Sequence, residues 1–241
     1  IKMQDQFILF GQQHIFTFCS IIFISFLLPL SLNYNNNNGQ IVSTKLVLGG
    51  LLIIHELIKP FYRYFLFGHE LLLLFPIHIC HLAAISMGVY LITNKKFFFE
   101  IAFFWGLSGN LLAMVTPDLK YHFPDLEYAT FFFGHGLLVV AIIFACLCLK
   151  TSLNWFSVLR VFIISVLILP VIYLLNIVLR DYQQDANYWY LMIKPGSDTI
   201  LTLFPAPPWH IPYLAILALI MFVMSYLTYL ALMRLNKFKY L

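Results

Sequence analysis

Charge is scarce in this chain. Only 10% of its 241 residues are Asp, Glu, Lys or Arg, against about a quarter in soluble domains. So few charges cannot clothe a water-facing surface, which excludes an ordinary soluble globule. Cysteine is sparse too: Cys19, Cys80, Cys146 and Cys148 form no framework, and residues two apart on a helix do not face each other, so no disulfide is expected. The net charge of +4 is scattered through short loops, so nucleic acid is not an expected partner. No phosphate loop, dinucleotide fingerprint or G-x-S-x-G is present, and no cofactor is expected. "HELIK" at His55 and "HELLL" at His69 begin like a zinc-protease helix but lack its second histidine. His78, His81, His135 and Asp118 are chemically able to hold zinc, yet no ligand spacing demands it, and no metal is expected.

What the chain has is apolar length. Hydrophobic residues make up 62% of it and the mean hydropathy is +0.89. They form long unbroken runs between short polar knots, and in lipid only helices and closed barrels satisfy the backbone. The expected fold is all-α: a single bundle of about seven transmembrane helices spanning residues 1–241, with membrane lipids as partners. The spans fall near 15–32, 41–57, 71–93, 97–116, 128–149, 158–179 and 211–233. The connection from Arg180 to His210 is long enough to cap one face, and "FPAPPWHIP" suits a re-entrant or interfacial brace. Gly106, Gly109, Gly134 and Gly136 suit close helix packing.

Sorting charges by side leaves Lys2, Lys59, Arg63, Lys120, Arg180 and Lys194 with the N-terminus and the other eight basic residues opposite. That bias favours a multi-pass cell-membrane protein with the N-terminus outside and the C-terminus cytoplasmic. The remaining polar groups are far less even. All eight histidines and nine of the ten carboxylates lie on the N-terminal side or in the half-spans entering from it. Glu100 is the exception, and an i, i+4 surface ion pair with Lys96 accounts for it.

Three of these groups reach a common depth. His78 and His135 each lie seven residues into a span and Asn110 six before the end of one, roughly 9–10 Å below the same surface at 1.5 Å per residue. His81 follows His78 at i, i+3 and shares its face, whereas Cys80 is rotated by about 200° unless the Pro76 kink brings it round. His55, Glu56, His69, Glu70, residues 116–127, Asn176, Arg180 and Asp181 continue the polar layer upward into a funnel. Intramembrane ionisable groups are functional candidates by default.

"FPIHIC", then "FFWGLSGNLLAMVTPDLKYHFPDLEYATFFFGHGLLVV" and "NYWYLMIKPGSDTILTLFPAPPWHIPYL", make the chain resemble the YwaF-type bacterial integral membrane proteins. Their eukaryotic relatives include a transmembrane acyltransferase that moves fatty acyl chains between phospholipids. The resemblance implies a nucleophilic cysteine directly before the third-span histidine. Counted from His78 that position is Ile77, so His78 and His135 carry over and the cysteine does not.

Two functions follow. One is a lipid-modifying enzyme carrying out acyl transfer or ester hydrolysis on phospholipids. His78 or His135 would be the base, Asp118 its orienter and Cys80 or Thr116 the nucleophile, or a histidine would activate a lipid hydroxyl directly. Asn110, His81, Asn176 and Arg180 would bind substrate. The other is a non-enzymatic small-molecule transporter or receptor using the same cavity. The polar groups stop near the midplane and no inverted repeat is visible, which favours the enzyme.

Overall fold

The computed structural model describes residues 6–35, 37–70, 74–194 and 200–238. Among them the chain is a bundle of seven helices, with one isolated antiparallel bridge between Gln6 and Tyr121. The helices are α1 (Gln12–Asn35), α2 (Asn38–Phe67), α3 (Ile79–Thr93), α4 (Lys96–Val115), α5 (Leu126–Leu147), α6 (Trp155–Arg180) and α7 (Ile211–Phe238). Six are long and apolar enough to cross a membrane, and α3 is a shorter apolar helix. The helical membrane bundle read from the sequence is therefore the observed architecture.

Local chemistry sets most helix ends. Asn37 accepts from the Gln40 N–H to start α2, and Gly68, at φ 67°, ends it in the left-handed conformation that glycine adopts without a Cβ penalty. Asp125 accepts from Glu127 and Tyr128 at the start of α5, and Asn154 forms a capping box with Ser157 at the start of α6. The most buried helices are α4 and α5, whose Phe99, Phe103, Phe104 and Phe144 pack with Phe222 of α7. Most of α1, α2, α6 and α7 is exposed, as lipid-facing helices are.

The third span differs from expectation. It begins at Ile79 rather than Leu71; Leu71, Leu72 and Leu73 lie outside the described residues, and residues 74–78 form turns. Pro76 is the reason. It has no N–H and drives the preceding residue out of the helical region, so it delays the helix rather than kinking one already formed. The second span runs ten residues past Leu57, through Pro60. Polar side chains from Glu56 to Arg63 interrupt the apolar run, but they project inward instead of ending the helix. Near the end of α4, Gly106–Asn110 widen into a π-helical turn.

Glu100 also departs from the surface-pair reading. It is 1% exposed, and its carboxylate accepts from Arg160 Nη1 at 2.6 Å and from Ser157 Oγ at 2.8 Å, while Lys96 Nζ is 3.9 Å away. The buried carboxylate ties α4 to α6. Replacing Glu100 with alanine should cost about 1–3 kcal/mol, because the Arg160 and Ser157 donors lose their acceptor. Lys96→Ala should cost less than about 0.5 kcal/mol. Thermal unfolding in detergent checks the order, and equal effects would return Glu100 to the surface-pair account.

Candidate functional site

The helices enclose a cavity of about 470 Å³, within the range of small-molecule sites. Its two ends differ in chemistry. One wall carries Lys59 and Arg63 of α2, His78, Cys80 and His81 around the start of α3, and His135 of α5; the other end is apolar, between Phe162, Val166 and Leu169 of α6 and Leu217, Met221 and Phe222 of α7.

The delayed start of α3 assembles the polar wall. His78 is the residue capping the helix, with extended φ −60° and ψ 150°, and Ile79, Cys80 and His81 form its first turn. The rotation that separates Cys80 from His78 on an ideal helix does not apply across this junction, and His78, Cys80 and His81 all line the cavity. Across from them the π-helical turn presents Ser108 and Gly109 to the same space. A turn of that kind adds one residue to the helix and re-aims the side chains around it.

The firmest polar contact is one the sequence did not single out. Glu56 Oε2 lies 2.6 Å from His81 Nδ1, with both side chains buried. An unprotonated Nδ1 at that distance would set two acceptors against each other, so Nδ1–H donates and Nε2 keeps its lone pair. Glu56 Oε1 is also 3.4 Å from His55 Nδ1 and 4.0 Å from Lys59 Nζ. Lys59 Nζ approaches His81 Nδ1 to 3.3 Å; with that nitrogen already protonated, Lys59 acts as a charge beside Glu56. Gly134 of α5 permits the arrangement, because a Cβ there would fall 2.4 Å from His55 Cε1.

The other candidates divide. His135 donates from Nδ1 to the Phe131 carbonyl at 2.8 Å, which fixes its tautomer while it lines the cavity. His78 also lines the cavity; its ring packs 4.8 Å from Tyr188 and 6.0 Å from His81. Thr116 reaches the cavity but donates its hydroxyl to Leu112 O at 3.2 Å. Asp118 lines the cavity and is exposed, and it makes no hydrogen bond to a histidine among the described residues; the carboxylate that does is Glu56. Asn110 does not line the cavity: its Nδ2 donates to His135 O at 3.0 Å and joins α4 to α5. Asn176 and Arg180 are likewise outside it. Asn176 accepts from the Tyr188 N–H at 2.7 Å and donates to its carbonyl at 2.9 Å, and Arg180 donates to Ala186 O. Among the described residues no three His, Cys, Asp or Glu converge as a metal site would require.

Asn176 and Arg180 hold the cap expected after α6. Trp189 and Tyr190 sit at φ 60° and 55°, a left-handed conformation that costs bulky residues on the order of 1 kcal/mol each. Trp189 Nε1 donates to Ile77 O at 2.8 Å and His210 Nε2 to Tyr190 O at 2.8 Å, so both ends of the strained turn are fastened. Burial pushes the Tyr188 hydroxyl up to about 12, which keeps the ring against His78 neutral.

Glu56 was read as part of the polar funnel without a partner, and ending the second span at Leu57 left Lys59 and Arg63 in a loop. Their i, i+3, i+7 spacing marks one helix face once α2 continues to Phe67.

Known proteins bear on this arrangement in three ways. The family model described as the TMEM164 family matches residues 9–226. A protein of Treponema pallidum (strain Nichols), described as an uncharacterized protein, is 32% identical over 79 residues, which is 33% of each chain. The match thus spans about a third of that relative's length. No solved structure matches.

Proposed function

The chain belongs to the TMEM164 family, and from the cavity we propose that it is a membrane-embedded enzyme transferring acyl chains on phospholipids, with His81 as base, Glu56 as its orienter and Cys80 as nucleophile. The buried Glu56–His81 pair, on a cavity wall that Cys80 also lines, is the observation that carries this reading. A carboxylate-oriented imidazole next to a thiol is the constellation that nucleophilic acyl transfer requires. Aligned on His78, the YwaF-type resemblance puts Ile77 at the nucleophile's place; shifted to His81, it would agree with this choice. Counting from His81 rather than His78, the residue immediately before the histidine is Cys80.

His81 Nε2 would take the Cys80 proton as the sulfur attacks the ester carbonyl. The first turn of α3 leaves backbone N–H groups without intrahelical partners, and these suit the oxyanion that develops. Collapse forms a thioester and breaks the glycerol–acyl bond, with His81 returning the proton to the departing glycerol oxygen. A lysophospholipid hydroxyl, deprotonated by His81, then attacks the thioester and restores the thiol; water in its place gives hydrolysis. The apolar limb between α6 and α7 suits an acyl chain, and the polar wall suits the glycerol esters. His78 and His135 would line the acceptor side without a carboxylate partner.

The test is acyl exchange in nanodiscs containing a phospholipid with an isotope-labelled acyl chain and an unlabelled lysophospholipid, followed by mass spectrometry. Labelled chain should appear on the acceptor at a rate proportional to protein. Lipids unchanged by the wild-type chain, even though both bind, would overturn the enzyme and favour a transporter or receptor using the same cavity.

A further inference from the structure

We propose that Lys59 and Arg63 form a phosphate-binding subsite at the mouth of the cavity, which takes the phosphate ester of an acylglycerol. The inference extends the reading of the cavity as a phospholipid site, but rests on its own observations.

The first is placement along α2. Lys59 stands 21 residues beyond Asn38, about 31 Å along the helix axis, which is close to the thickness of a hydrocarbon core. Both cations therefore emerge at headgroup depth, level with the first turn of α3, where Lys59 meets His81. The second is spacing. Lys59 and Arg63 are one turn apart on the same face and both line the cavity. Lys59 Nζ lies 3.3 Å from His81 Nδ1, so an anion held by the pair sits beside the proposed base, as a phosphate sits a few bonds from the glycerol esters.

The third is charge. Among the described residues Arg63 forms no ion pair with a carboxylate; its polar neighbour is His69 Nε2, 3.4 Å from Nη2. A guanidinium that lines a cavity without a carboxylate partner is open to an anion, and its planar fork matches a phosphate. Glu56 already lies 4.0 Å from Lys59 Nζ, and two further carboxylates face the pair across the mouth. Glu127 lies 3.3 Å from His69 Nε2, and Asp118 sits on the loop between α4 and α5. They would repel a doubly charged phosphate more than the single charge of a phosphodiester, so the diester is the better occupant.

The experiment measures binding, not turnover. The purified full chain in detergent is titrated with lysophosphatidylcholine, with a monoacylglycerol of the same acyl chain, and with inorganic phosphate as competitor. The wild-type chain should hold the lysophospholipid about 10- to 100-fold more tightly than the monoacylglycerol, the range expected of charge-assisted hydrogen bonds. Arg63→Gln should remove most of that difference, Arg63→Lys should retain part of it, and monoacylglycerol affinity should stay within about twofold throughout. Displacement by millimolar inorganic phosphate would show that the subsite reads phosphate without the lipid; its failure alongside preserved lipid selectivity would assign it to the headgroup. Equal wild-type affinity for both lipids, or equal loss of both in Arg63→Gln with unchanged thermal unfolding, overturns the subsite. Preserved selectivity in a chain that exchanges no acyl groups would instead overturn the enzyme and leave the subsite standing.

Discussion

Glu56→Gln should lower acyl exchange by about 10²- to 10⁴-fold, the range for losing general-base catalysis or the carboxylate that sets a histidine's tautomer. Glutamine is nearly isosteric and keeps a hydrogen bond to His81, so the bundle should remain folded. What changes is the direction of that bond. Glu56 only accepts, and at 2.6 Å it holds the His81 proton on Nδ1. A glutamine amide can donate to Nδ1 instead, which moves the imidazole proton to Nε2 and leaves no lone pair for the thiol. The carboxylate that balanced Lys59 at 4.0 Å also disappears, so the neighbouring cation further opposes charge on His81. His81→Ala should fall as far as the Glu56→Gln, His81→Ala double variant, because residues acting as a unit are not additive. His78→Ala and His135→Ala, which lack a carboxylate partner, should fall less. A Glu56→Gln chain with wild-type exchange would remove Glu56 from the mechanism, and a His135→Ala chain less active than His81→Ala would move the base to α5.

Cys80→Ala should lose exchange by about 10³-fold or more, as expected when the nucleophile of a covalent mechanism is removed. The distinguishing readout is covalent. Wild-type protein quenched during turnover should carry one acyl group on Cys80 that hydroxylamine releases, and Cys80→Ala should carry none. Cys80→Ser should accumulate a hydroxylamine-resistant ester if its hydroxyl is acylated. Thr116→Val should leave exchange within about threefold, since a hydroxyl already committed to Leu112 O is poorly placed to attack. Full exchange by Cys80→Ala with no adduct would reject the thiol route, and His81 would then activate the lipid hydroxyl directly.

Much of the site was legible from depth alone. Placing His78 and His135 seven residues into their spans put them at one level, and both line the same cavity. Asn110 was at the same level for a different reason, because it binds the backbone of His135 rather than the cavity contents. The readings that failed share a cause. Treating Leu71–Thr93 as one regular helix turned Cys80 away from His78, whereas Pro76 postpones the helix to Ile79 and both residues reach the wall. Ending the second span at Leu57 left Lys59 and Arg63 in a loop, whereas α2 carries both to the cavity wall. Glu100 was read as a surface residue because Arg160 and Ser157, its main partners, lie about sixty positions further along the chain.

By itself the sequence determined the class of fold and the membrane environment. Those follow from apolar run length and from the cost of charge in lipid, and both are properties of the chain read in order. Only the tertiary structure decided which polar groups meet. The 2.6 Å contact between Glu56 and His81 depends on α2 continuing through Pro60, on α3 starting late, and on Gly134 making room for His55. Each of these is a packing relation between helices remote in sequence, and no periodicity within one segment records it.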